Sequence, residues 1–449
     1  LRRKYVLNSG QLKICRLSFI FGKLLSVYSA TPLFMSDISL VTIGSELLRG
    51  RIVNTNATTI GQLLRKAGFA LSRNVSIPDT EAAIRRTLQQ EMKHARVVLV
   101  SGGLGPTKDD ITKQCLANLF DSPLQLHEPT LRYLEERYQQ RNRSFSERNR
   151  AQALVPASCE VLPNPKGTAP GMLFRKDGCL LISMPGVPFE LFFMLEQEVI
   201  PRLREHLAAD VFQQKVIRIR RVPESEAAVR VEAFEASLSP QIEISYLPRR
   251  DGLWLEFGIR GKEEEQGEMV QALEQAEALT RLHFGDQVYA VGTEPLPALL
   301  GQALKRRGLR IAVAESLTGG LVAAEMVSVS GSSDYFQGSV TAYATEIKSS
   351  VLGIDPSLIK EAGVVSEPVA IAMAERVRKL LGADIGLATT GLAEREADPK
   401  RPAQAWLGYA DGKQSKARWE ELFLDRNENR IRAANLAMIF ALQEVNEST

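Results

Sequence analysis

The sequence predicts an α/β protein: two parallel-sheet domains joined by a small α+β connector. Three observations predict it. Short apolar runs at residues 38–43, 97–100 and 309–314 have the length and β-branched content of buried strands. Each is followed by a glycine-containing loop and then by apolar residues at helical spacing, the rhythm of a parallel sheet with helices on both faces. Between residues 206 and 292 the order changes to β-α-β-β-α-β, which reads as a separate small domain. A chain of 449 residues is too long for one core. The parts are placed at 36–205, 206–292 and 293–449.

Taken in order, residues 38–43 form a strand and 44–50 a loop bearing Glu46. Ala57, Ile60, Leu63, Leu64 and Ala67 mark a helix that Gly68 ends. A strand at 69–75 follows, and Pro78-Asp79 opens a helix carrying Ile84 and Leu88. The strand at 97–100 then runs into Ser101-Gly102-Gly103-Leu104-Gly105-Pro106-Thr107, after which Asp109 and Asp110 are expected to open a helix. Glycines let backbone approach an anion, and free N–H groups at a helix start favour negative charge. Asp109 and Asp110 are candidate ligands for a divalent cation such as Mg²⁺. Ligands of parallel sheets bind beyond the carboxyl ends of the strands, and Glu46, Asp79 and Asp110 are expected to converge there. The loop is neither a dinucleotide fingerprint nor a P-loop. A helix is expected over 132–153, a strand over 179–183, and glycine- and proline-rich loops at 164–171 and 184–188.

In the third part a helix spans 296–307, ended by Gly308, and the strand at 309–314 leads into Glu315-Ser316-Leu317-Thr318-Gly319-Gly320. Further elements are a helix at 321–329, a strand at 339–343, the segment Ala344-Thr345-Glu346-Ile347-Lys348, a helix at 369–381, a strand at 385–390 and a final helix at 429–444. A serine at a strand end needs a base and an oxyanion site to act as nucleophile. The nearest histidine is His283, which excludes a Ser-His-Asp triad for Ser316. Lys348 can be the base if burial lowers its pKa. Tyr343 is a candidate to relay a proton or hold the lysine, and the Gly319 and Gly320 amides are candidates for an oxyanion or phosphate site.

Composition limits the alternatives. The four cysteines (Cys15, Cys115, Cys159, Cys179) form no CxxC pair and the four histidines are scattered, so a zinc site is not expected and a reducing, cytoplasmic setting is. No apolar run is long enough to span a bilayer. Residues 1–35 carry six basic residues and no acidic one; removing them from the net charge of +3 leaves −3 from Ser36 onward, with no basic stripe for nucleic acid. This leader is expected to lie outside the fold, as an upstream extension with Met35 the natural start; its composition also fits a transit peptide.

GSELLRGRIVNTN, GGLGPTKDDIT, NPKGTAPG and MPGVPFE, in this order, resemble the N-terminal half of the CinA family (competence/damage-inducible protein A). That half is similar to the molybdopterin-binding domain of molybdenum-cofactor biosynthesis proteins. The resemblance implies a nucleotide-type pocket using Glu46, Asp79, Gly102, Gly103, Gly105, Thr107, Asp109 and Asp110, where some relatives hydrolyse ADP-ribose with a divalent metal. The family commonly has Asp where Ser45 stands. It also implies a KH-like connector, read here as structural because no RNA-clamping GxxG loop is expected. AESLTGGLVA, SGSSDYFQGSVTAYATEIK, LGI, GVVSEPVA and ATTG resemble the CinA C-terminal domain, the nicotinamide-nucleotide amidase. That implies conversion of nicotinamide mononucleotide to nicotinate mononucleotide and ammonia, without a cofactor. By the resemblance Ser316 is the nucleophile, Tyr343 and Lys348 its activating partners, Thr318, Gly319, Gly320 and Thr390 contact substrate, and Arg426 faces the phosphate. The expected partner is a small-molecule nucleotide, and the family implies a homodimer. Members usually continue TG with Ile-Ala-Gly-Pro and a glycine-rich loop; here the chain reads Leu392-Ala393-Glu394-Arg395, and Glu394 and Glu396 are expected to repel an anion. The alternatives to the amidase are an ADP-ribose pyrophosphatase in the N-terminal part and a degenerate nucleotide-binding protein.

Overall fold

The structure is a computed structural model describing residues 36–394 and 402–447. The leader at 1–35, and Arg395 and Glu396 of the charged loop, lie outside the described residues. The chain forms two compact units that divide between Ala209 and Asp210.

The first unit is built on a six-stranded sheet in the order Leu71–Ile77, Ser36–Ile43, Ala95–Ser101, Cys179–Met184, Gly171–Lys176, Glu160–Leu162. The first four strands are parallel and the last two antiparallel. Val97, Val98, Leu99 and Val100 are all fully buried, as a strand covered on both faces requires. Alternate residues feed two cores: Val97 and Leu99 pack with Leu63 and Leu195 on one face, Val98 and Val100 with Ile84 and Leu116 on the other. Asn54 caps the helix Thr55–Lys66 by accepting from the Ala57 amide at 3.1 Å.

Two expectations fail here for local reasons. The helix expected over 132–153 is a helix at Glu128–Gln140, a break containing Asn142 at φ 50°, and a short turn at Glu147–Arg150. Asp109 and Asp110 do not open a helix; it begins at Thr112. Asp110 instead folds back on Thr107, accepting from its amide at 2.9 Å and from its hydroxyl, the side-chain turn for which aspartate competes with helix.

The second unit holds two sheets. The first is antiparallel, in the order Glu243–Arg249, Gly252–Gly261, Val211–Ile219, Val288–Val291. Helices Glu224–Glu235 and Gln266–Phe284 complete the β-α-β-β-α-β order and share its core. The stretch Gly258-Ile259-Arg260-Gly261 is paired within a strand and is not a clamping loop. The second sheet runs Phe336–Thr341, Ile311–Glu315, Ile385–Leu392, Ala403–Ala410, Ser415–Leu422, with the first three strands parallel. Helices Leu296–Arg307 and Arg426–Glu447 cover one face, and Glu367–Leu380 the other.

The division read at residues 292 and 293 falls inside this unit, because buried polar contacts cross it. Arg218, fully buried, donates Nη2 to the Glu294 carbonyl. Arg221 donates to Glu420 at 2.7 Å.

Candidate active site

The strand Ile311–Glu315 lies between two parallel neighbours and ends at Glu315. Its ladder continues one residue further, where the Ser316 amide donates to the Thr389 carbonyl at 2.9 Å, so the serine is held at the sheet edge. The short helix Thr345–Ser350 places Lys348 beneath it. Lys348 is 1% exposed, and its Nζ lies 3.1 Å from Ser316 Oγ, 2.7 Å from the Ala342 carbonyl and 3.4 Å from the Tyr343 carbonyl. Burial lowers its pKa below the ordinary lysine value, against the opposing charge of Glu346. A neutral amine can donate two N–H groups to the two carbonyls and aim its lone pair at the serine hydroxyl.

Ser316 and Lys348 open onto a cavity of about 420 Å³. Thr390, Val364, Glu394, Tyr343 and Arg426 also line it. Thr390 donates its hydroxyl to the Val364 carbonyl at 2.9 Å, which fixes that wall. Arg426 stands at the mouth, donating to Glu394 and to the Tyr343 hydroxyl, each at 3.1 Å.

Three expected roles are corrected. Gly319 and Gly320 do not present free amides: Gly319 donates to the Ser316 carbonyl at 3.1 Å, and Gly320 to Glu315 at 2.9 Å. Thr318 is fully buried, with its hydroxyl between Glu315 and Thr389, 2.7 Å from each, so it does not reach a ligand in the cavity. Tyr343 reaches Lys348 through its carbonyl; the residue is 61% exposed and its hydroxyl accepts from Arg426 at the cavity mouth.

Two residues were missed. Glu315 is fully buried and accepts from the Thr318 hydroxyl and from the amides of Gly320, Val322 and Ala323 at 2.7 to 3.1 Å. It closes the start of helix Leu321–Val327, where a carboxylate satisfies the unpaired first-turn amides. A glutamate a few residues ahead of a helix was the available signal. Asn429, also fully buried, donates to the Ala393 and Leu424 carbonyls at 2.9 and 2.6 Å and accepts from the Leu424 amide at 3.0 Å. It ties the cavity wall to the helix that carries Arg426.

In the first unit, Gly102 and Gly103 adopt φ 109° and 71°. A Cβ at Gly102 would run into the Ile43 carbonyl, so the loop needs glycine there. Its polar groups are turned inward. Gly102 donates to Met184 and Thr112 to Gly103, both at 3.1 Å. Asn56, another residue missed from sequence, donates to Ser101 Oγ at 3.1 Å and to the Gly186 carbonyl at 2.7 Å. Ser45 donates to Asp79, and Asp110 holds Thr107. Glu46 sits on the single turn Ser45–Leu48. The expected convergence is absent: among the described residues no group of three His, Cys, Asp or Glu side chains is placed to hold a metal ion. With Asp79 and Asp110 each engaged by a hydroxyl, this donor set does not fit a cation held by the protein alone.

Comparison with known proteins follows this division. The family of the CinA C-terminal domain matches residues 293–445. The family described as "Probable molybdopterin binding domain" matches residues 39–205. A CinA-like protein of Salinibacter ruber is 37% identical over 402 residues, covering 89% of this chain and 97% of that protein. One from Cytophaga hutchinsonii is 36% identical over 404 residues, covering 89% and 96%. The crystal structure of a CinA protein from Thermoplasma acidophilum is 31% identical and covers 39% of this chain and 99% of its own, with a TM-score of 0.35. The two CinA-like relatives, 37% and 36% identical over nearly their full length, settle the kinship: the chain belongs to the CinA family.

Proposed function

We propose that the third-part cavity is an amidase site acting on nicotinamide mononucleotide. The observation that carries this reading is the buried amine of Lys348 at 3.1 Å from the Ser316 hydroxyl, on the floor of a cavity open to a small molecule. Ser316 Oγ attacks the carboxamide carbon while its proton passes to Lys348. The tetrahedral centre collapses as Lys348 returns that proton to the departing nitrogen, breaking the C–N bond and freeing ammonia. Water then enters by the same route and releases the carboxylate product. The Leu317 amide, next in the chain to the nucleophile, is the donor we assign to the oxyanion. Arg426 at the mouth supplies a fork suited to a phosphate.

The test is ammonia release from nicotinamide mononucleotide by the full chain, with Ser316→Ala as control. No ammonia at high enzyme concentration, with nucleotide binding retained, would replace this reading with a binding protein. Hydrolysis of ADP-ribose at the glycine loop is the second reading. Asp79 and Asp110, each engaged by a neighbouring hydroxyl, do not support it, and AMP production lost on Asp110→Ala would restore it.

A further inference from the structure

We propose that Glu394 is a tethered competitor for Arg426, and that it makes the site discriminate against phosphorylated amides relative to their dephosphorylated counterparts. The identity of the reaction rests on the amidase reading; the contact does not.

The geometry of the fork comes first. Arg426 directs Nη1 to Glu394 Oε2 and Nη2 to Tyr343 Oη, each at 3.1 Å. A guanidinium holds phosphate through a parallel pair of N–H groups. An oxyanion arriving at Arg426 therefore meets a guanidinium already engaged through both Nη nitrogens, one of them by a carboxylate with which it must compete. The charge balance comes second. Among the described residues, the charged side chains lining the cavity are Glu394, Arg426 and Lys348. Lys348 lies on the floor against Ser316 and two carbonyls, and is neutral when it acts as base. Among the described residues that leaves one positive and one negative group at the mouth, so the pair itself offers a dianion no net attraction. The anchoring comes third. Asn429 binds the Ala393 carbonyl, next to Glu394, and both polar groups of Leu424, two residues before Arg426. The two backbones that carry the pair are thus fastened to one buried amide side chain.

Glu394 and Arg426 are both largely exposed, and an ion pair of this kind adds little to stability. Its consequence is for the ligand, because a phosphate at Arg426 would sit well within one screening length of the carboxylate.

Glu394→Gln keeps the side-chain length and removes the charge. Inorganic phosphate is titrated calorimetrically into the full chain and into this variant, and kcat/KM is measured for nicotinamide mononucleotide and for its dephosphorylated nucleoside. Phosphate is expected to bind the variant about tenfold more tightly at low salt, with the gain shrinking as salt is added. The ratio of kcat/KM for the nucleotide to kcat/KM for the nucleoside rises by a similar factor. Equal phosphate affinity in the two proteins overturns the proposal, as does a gain that survives in Glu394→Gln/Arg426→Gln, since the anion would then be bound elsewhere. Tighter phosphate binding with no ammonia from any protein sustains the Glu394 assignment and removes the amidase reading. Ammonia release with unaltered phosphate affinity does the reverse.

Discussion

The glycine loop after strand Ala95–Ser101 and the serine loop after strand Ile311–Glu315 share one setting. Each follows a buried strand of a parallel sheet, contains glycines at positive φ, and leads into a helix. They differ in where their polar groups point. In the first, Asp110 holds Thr107, Asp79 takes the Ser45 hydroxyl, and Thr112 closes on Gly103. In the second, one carboxylate, Glu315, gathers four donors below the sheet edge and leaves Ser316 and Lys348 facing a cavity. In the second loop Glu315 satisfies the scaffold, two backbone carbonyls steady the lysine, and the serine and lysine meet each other at the cavity.

The comparison breaks most sharply at Ser316. Ser316→Ala should reduce ammonia release by about a thousandfold or more with an unchanged circular dichroism spectrum, measured by a coupled ammonia assay. A variant at the parent rate would show that the two loops are equally idle. Next comes the scaffold. Glu315→Gln leaves one acceptor oxygen where four donors converge, and should destabilise the second unit by about 3 kcal/mol, read from a shift of its urea midpoint. No shift would mean that the helix start is satisfied without the carboxylate.

The pH profile sharpens the comparison further. On the amidase reading the lysine works as the unprotonated amine, and burial favours that form, so kcat/KM should rise with pH and level off below the ordinary lysine pKa. On the acidic limb the slope should approach about tenfold per pH unit. A flat profile between pH 6 and about 9 would remove Lys348 as the base. The smallest effect is expected in the other loop. Asp110→Ala gives up an exposed turn contact and should cost under about 1 kcal/mol, with ammonia release untouched. A large loss of activity in that variant would tie the glycine loop to the chemistry.

Much of this was legible before any coordinates. The helix at Leu296–Arg307 with Gly308 beyond it, the strand at residues 97–100 and the β-α-β-β-α-β order of the connector all follow from apolar spacing and glycine placement. Where reading failed, a side chain had two local options. Asp110 was available as a helix opener and as a turn former, and the turn prevailed. The stretch at 132–153 keeps a helical pattern through Asn142, whose positive φ ends the helix before Ser146 starts another turn. Tyr343 carried the right residue type for a relay, yet its strand ends at Thr341 and its ring turns to the mouth.

The sequence by itself determined the fold class, the family and the identity of the serine and lysine, because periodicity, glycine positions and motif order are properties of neighbouring residues. Only the tertiary structure decided which donors meet which acceptors. Lys348 reaches a serine 32 positions away, and Arg426 a tyrosine 83 positions away. Glu315 claimed the amides that the glycine motif advertised, and Glu394 paired with Arg426. A hydrogen bond is settled within a few tenths of an ångström, and spacing along a chain carries no information at that resolution once the partners lie on different elements.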